Sequence, residues 1–180
     1  DEVETVTREL EDTNRDIEKK VEEVERELRK TDREIREKVK RVEEELTRSD
    51  RELAEIVKKK NTEDRIVKEV VRLNEDIVRR LREVVKEVEE LNKRAVERLR
   101  EVVKKVKRLN REIVEELRRV RGEDVKRIVE KARKINEDVR REIEKITEEV
   151  RRINEEVDDR IRRIAEEARR INEKVKRRLT

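Results

Sequence analysis

The chain has no aromatic residue, no cysteine, no proline, no histidine and no methionine, and one glycine in 180 residues. Each absence removes a class of function. Without cysteine there is no disulfide, no thiolate nucleophile and no redox clue to compartment. Without histidine, only Asp and Glu could offer side-chain charge to a metal, and the Glu-x-x-His pattern of di-metal bundle enzymes is missing. Ser49 is the only serine and has no imidazole to act as its base. No glycine-rich phosphate loop occurs. No apolar run approaches the roughly 18 residues a bilayer span requires, and the N-terminus lacks a signal-peptide pattern. The sequence therefore predicts no catalytic residue, no cofactor, no metal and no membrane partner. It assigns no localisation beyond cytoplasmic if expressed recombinantly. The basic stretches KKVKRLNR (104–111) and VKRRLT (175–180) have no aromatic partners for base stacking. They predict weak, salt-sensitive phosphate contact rather than specific nucleic-acid recognition.

What remains is charge and aliphatic side chains. Fifty-nine per cent of residues are charged and 31% apolar, a composition that ordinarily means disorder. Two features argue otherwise. The 55 basic residues nearly balance the 51 acidic ones, and the apolar residues recur at helical spacing, as in long helices and coiled coils. Charge is unevenly shared. Residues 1–60 hold 17 basic and 21 acidic side chains, for −4; residues 61–121 hold 19 and 14, for +5; residues 122–180 hold 19 and 16, for +3.

The periodicity breaks twice. At KKKNTEDR (58–65) three lysines suit the negative end of a helix dipole. Asn61 or Thr62 can cap the next helix, with Glu63 and Asp64 in its first turn. At RRVRGEDV (118–125) three arginines precede Gly122, which fits a left-handed position just past a helix end. These signals predict helices over about 2–60, 62–121 and 123–179 in a single domain, 1–180. Connections this short make neighbours antiparallel. The fold class is all-α: an elongated, antiparallel up-down-up three-helix bundle.

Within the segments an 18-residue repeat operates. Val3, Val6, Leu10, Thr13 and Ile17 are followed 18 residues later by Val21, Val24, Leu28, Thr31 and Ile35, then by Val39, Val42, Leu46, Ser49 and Leu53. Five inward positions in 18 residues match the ~3.6 residues per turn of an undistorted α-helix, so the helices are expected to run nearly straight. Asparagines recur at the same interval: Asn74, Asn92 and Asn110 in the second segment, Asn136, Asn154 and Asn172 in the third. In an antiparallel pair, residues at one height have a constant total. Thr13 with Asn110, Thr31 with Asn92 and Ser49 with Asn74 each total 123, twice the position of the first break. Asn110 with Asn136, Asn92 with Asn154 and Asn74 with Asn172 each total 246, twice that of the second. Three polar layers are expected: Thr13, Asn110 and Asn136; Thr31, Asn92 and Asn154; Ser49, Asn74 and Asn172. A buried amide left unpaired costs about 1–3 kcal/mol on mutational scales, so such layers penalise wrong registers.

Val67, Val78, Val85, Val96, Val103 and Val114 advance alternately by 11 and 7 along the second segment and share a face. They either widen that helix's inward stripe or form an exposed seam for self-association. The chain is expected to be a monomer without partners; a homo-oligomer built on this seam is the alternative.

Near-identical 18-residue modules, two minimal turns and mixed Glu/Lys/Arg surfaces resemble computationally designed helical bundles, above all untwisted single-chain three-helix bundles. The resemblance covers the whole chain and lies in style and period. It implies a very stable, monomeric scaffold with no biochemical activity. Spectrin-like repeats are similar in topology, but this chain lacks core aromatics.

Overall fold

The computed structural model describes residues 2–61 and 65–180. Three long α-helices pack against one another: α1 (Glu2–Lys60), α2 (Arg65–Arg119) and α3 (Glu123–Leu179). No strand occurs among the described residues. The cause is local as well as tertiary. Glu, Lys, Arg and Leu lose little side-chain freedom in a helix, and an aliphatic stripe on each segment supplies a face to bury.

The helix ends follow the charge pattern. Lys58, Lys59 and Lys60 occupy the last turn of α1, Arg118 and Arg119 that of α2, while Glu123 and Asp124 open α3. Asn61 ends α1. It takes a left-handed conformation (φ 53°) and its N–H donates to the Lys58 carbonyl at 3.3 Å, so it closes α1. Asparagine tolerates that geometry better than other non-glycine residues. The other cap candidate, Thr62, and the expected first-turn residues Glu63 and Asp64 lie outside the described residues, as does the expected start of α2.

At the second break α2 stops at Arg119, two residues before the expected end, and Val120 packs against the aliphatic cluster that holds Val125 and Ile128. Gly122 is left-handed as expected (φ 69°), but its carbonyl accepts the Val125 N–H at 3.2 Å. It therefore leads into α3 rather than following directly on α2. A Cβ there would meet nothing within 4 Å, so glycine serves the backbone angle and not a shortage of space.

The chain divides into two compact units, each containing a stretch of all three helices. The first comprises Asp1–Arg29 with Leu91–Arg151, the second Lys30–Glu90 with Arg152–Thr180. Cross-helix ion pairs fix chain directions within each. Between α1 and α2 the pairs are Glu18–Lys107 and Glu25–Arg100 in the first unit, Arg36–Glu89 and Glu43–Arg82 in the second. The two residue numbers of each total 125, the mark of antiparallel neighbours. Between α1 and α3 it is the separation that recurs instead: Glu27–Arg151 in the first unit, Glu45–Arg169 and Glu52–Lys176 in the second are each 124 apart, and Lys38–Asp158 in the second is one turn less, 120 apart. Those two helices run parallel, and the up-down-up order holds in both units.

Aliphatic clusters fill each unit. In the first, Val24 and Leu99 belong to one cluster and Val6, Leu117 and Val129 to another. In the second, Val42, Leu81 and Ala165 pack together. Leu81, Leu99 and Leu117 are 18 residues apart and almost wholly buried. Burying each such side chain contributes about 1.5–3 kcal/mol before entropy. Sizes are also matched across helices. Leu10 clusters with Ile113 of α2 and Ala132 of α3, and Leu46 with Ala168 of α3 and half-buried Ile77 of α2. Around Leu28 the assignment is reversed: α2 gives Ala95 and α3 gives Val150. Where one helix presents the large side chain the other presents the small one, as dense packing requires.

Candidate functional site

The buried polar residues are the only inward departures from aliphatic chemistry among the described residues: Ser49, Thr147 and the six repeated asparagines. In the first unit Asn110 and Asn136 face each other as a reciprocal amide pair. Asn110 Nδ2 donates to Asn136 Oδ1 at 2.9 Å, and Asn136 Nδ2 returns a bond to Asn110 Oδ1 at 2.8 Å. The second N–H of Asn136 goes to the Ala132 carbonyl at 2.7 Å, and that of Asn110 to Asn14 Oδ1 at 2.6 Å. All four amide N–H donors are engaged.

The second unit repeats the arrangement with two differences. Asn74 and Asn172 form the reciprocal pair at 2.9 and 2.8 Å, and Asn172 also donates to the Ala168 carbonyl at 2.7 Å. Ser49 Oγ donates to Asn172 Oδ1 at 2.8 Å. The remaining N–H of Asn74 goes to Asp50 Oδ1 at 2.7 Å. A carboxylate thus holds the place that a neutral amide, Asn14, holds in the first unit.

Two of the three expected layers are therefore assembled from their asparagines. Ser49 joins its layer as expected, but the α1 contribution to the first layer differs. Thr13 is half-buried and adds no hydrogen bond to the first layer; its neighbour Asn14 does. The donors of Asn136 are already spent on Asn110 and Ala132, and α1 reaches α2 through the next residue round its surface. Asn14, Asp32 and Asp50 recur at the same 18-residue interval as Thr13, Thr31 and Ser49, so the period that revealed one set also contained the other. Of the remaining layer, Asn92 and Asn154 are buried and Thr31 half-buried.

The valine face of α2 is largely turned inward. Val67, Val85 and Val103 are buried, while Val78, Val96 and Val114 are half-buried and pack against the core clusters. Leu73, 37% accessible, is the one large aliphatic residue classed as exposed among those described. On α3, Thr147 takes a buried place and donates to the Ile143 carbonyl at 2.7 Å, so its hydroxyl needs no partner from another helix.

Electrostatics distinguish a few carboxylates. Burial pushes the Asp50 carboxyl above the usual carboxylate range; the Asn74 hydrogen bond opposes this and nearby Glu75 adds to it. Asp50 lies in a groove of about 340 Å³ between α1 and α2, with Glu43, Glu75, Arg79 and Arg82 also on its walls. Glu25 is the reverse case. Its Oε1 accepts from Arg100 and, at 2.6 Å, from Arg29. The bond from Arg100 first, and the two positive charges with it, hold Glu25 below the usual range against the effect of burial. The Lys176 ammonium does the same for exposed Glu52. No cluster of carboxylates suited to a metal ion occurs among the described residues. No described helix is long and apolar enough to cross a membrane.

Searches against protein-family models, curated proteins and solved structures find no match. Function must therefore be argued from the geometry itself. An amide pair whose N–H donors are all satisfied inside the bundle has no spare donor to offer. What it does well is to hold two helices at one height.

Proposed function

We propose that this chain is a structural scaffold without biochemical activity, a monomer of high thermal stability, and that it originates in computational design. The observation that carries this reading is the closed hydrogen bonding of the polar layers. Asn110 with Asn136, and Asn74 with Asn172, spend every amide N–H on one another, on helix carbonyls or on a residue of α1. Slipping one helix by a turn would set these amides against aliphatic side chains, at about 1–3 kcal/mol for each buried group left without a partner. Such layers favour register over binding. The origin is argued from the 18-residue modules in all three helices, which agree with local propensity, turn chemistry and core patterning at once.

Two measurements test this. Light scattering after size exclusion, read by refractive index, should give a molar mass near 22.1 kDa. Circular dichroism should show helix persisting above about 90 °C; a cooperative transition below about 70 °C would overturn the stability claim. A multiple of 22.1 kDa would favour an oligomerisation module built on the valine face instead. That alternative has Val78, Val96 and Val114 as its available surface, and Val96→Glu would then dissociate the assembly.

A further inference from the structure

In the first unit the groove between α2 and α3 differs from those α1 makes with either helix. Four of the five cross-helix pairs described in this unit join an α1 carboxylate to a cation: Glu18 to Lys107, Glu25 to Arg100, Glu9 to Arg133 and Glu27 to Arg151. The fifth joins Lys20 to Glu144. The α2–α3 side has a different character. There a groove of about 470 Å³ is floored by Val102 and Ile146 and walled by Arg98, Lys104, Lys105 and Arg108. Two carboxylates, Glu101 and Glu142, also line it. Among the described residues, none of these six charged side chains is in an ion pair or a side-chain hydrogen bond. The aliphatic floor continues along both helices. Leu109 lies two turns beyond Val102 and Ile135 three turns before Ile146, on the same faces, and both are half-buried.

We infer that this α2–α3 groove is a docking surface for an acidic amphipathic helix of a partner protein. Complementarity of charge selects the occupant. The four cations outnumber the two carboxylates, and none of them is in an ion pair among the described residues. In this unit the ion pairs that α1 makes with α2 and α3 come mainly from its glutamates. A fourth helix with aliphatic residues on one face and carboxylates flanking them would repeat that solution. A second copy presenting the same face would set cations against cations, which opposes self-association here.

The test exploits the missing aromatics. A synthetic helix about three heptads long, with leucine on its inner face, glutamate flanking it and one tryptophan, is titrated with the intact protein. Indole fluorescence then reports the peptide alone. A saturable blue shift is expected. It should fade as salt rises from ~0.01 to ~1 M, across which the Debye length falls from about 30 to about 3 Å. Lys104→Glu, Lys105→Glu and Arg108→Glu together should weaken binding about tenfold or more, with helicity checked by circular dichroism. Should that variant lose helix, the neutral pair Lys105→Gln and Arg108→Gln decides, and must still weaken binding. No shift overturns the proposal, as does an equal shift from a peptide with lysine for glutamate. Binding undiminished by the substitutions also overturns it. So does a single-stranded oligonucleotide that binds with the same dependence on these cations while the peptide does not.

Discussion

Asn14 and Asp50 occupy equivalent places on α1, each accepting from the asparagine of α2, but only one of them titrates. Because burial raises the Asp50 carboxyl above its unfolded value, the protonated form is favoured by the fold. Its contribution is fully present below the ordinary carboxylate pKa and is lost as pH rises through the raised one. Glu25, held low by Arg100 and Arg29, contributes in the opposite sense: its stabilisation is present above the ordinary carboxylate pKa and is lost as pH falls. Asp50→Asn should therefore raise the denaturation midpoint at neutral pH and have no such effect in acid. The expected gain is at most on the order of 1 kcal/mol, since Asp50 is only partly buried and a neutral hydrogen bond replaces a charged one. Urea titrations of both proteins at neutral and acid pH check this; an equal shift at both would place the effect elsewhere. Glu25→Gln should lower the midpoint at neutral pH, by about 1 kcal/mol or less for a partly solvated pair, and converge on the parent in acid.

At the level of the helices, the informative feature is the exchange of sizes between α2 and α3. The asparagines of α2 and α3 recur identically every 18 residues, so by themselves they mark height only within a repeat. Ala95 with Val150 reverses the large-small order found at Ile113 with Ala132. Ala95→Ile alone should overpack the cluster around Leu28, at about 1–3 kcal/mol. Val150→Ala alone should open a cavity at about 1–3 kcal/mol. Together they recreate the Ile–Ala pair, and most of both losses should be recovered. A coupling near zero in a double-mutant cycle from chemical denaturation would show that the two sites do not share space. Helix number, the α1 and α3 boundaries, chain directions and the asparagine heights were all legible in sequence, because each rests on period and on additive residue numbers. The end of α2 was not. Propensity extends the helix to Arg121, whereas the chain leaves it at Arg119, ahead of left-handed Gly122. Nor was the role of Asn61: asparagine serves both as an N-cap and as a left-handed stop, and the choice depends on the path of the chain. Asn14 and Asp50 were visible as a period but not as layer members. Polar residues at the margin of an apolar stripe look like surface until the neighbouring helix is placed.

For the molecule as a whole, the distribution of charge matters more than its total. The net value of +4 conceals one acidic helix and two basic ones. The cross-helix ion pairs named above all have a partner on α1. Each exposed pair contributes at most about 1 kcal/mol, so the aliphatic clusters, not the pairs, carry the stability. The pairs instead decide which helix lies beside which. This is also why the α2–α3 groove keeps cations to spare.

The special place of α1 bears on how the molecule could be taken apart. Cleavage within the first connection would release a segment of net charge −4 from a remainder of +8, the sum of +5 and +3 over residues 61–180. The two opposite charges would steer the pieces back together, and the aliphatic stripe of α1 would hold them once met. Mixed at low salt, the fragments are expected to regain the helix signal and elute as one complex, recombining more slowly as salt rises. The acidic helix would act as a detachable key, and the first connection, essential to the written chain, would serve mainly to keep that key within reach.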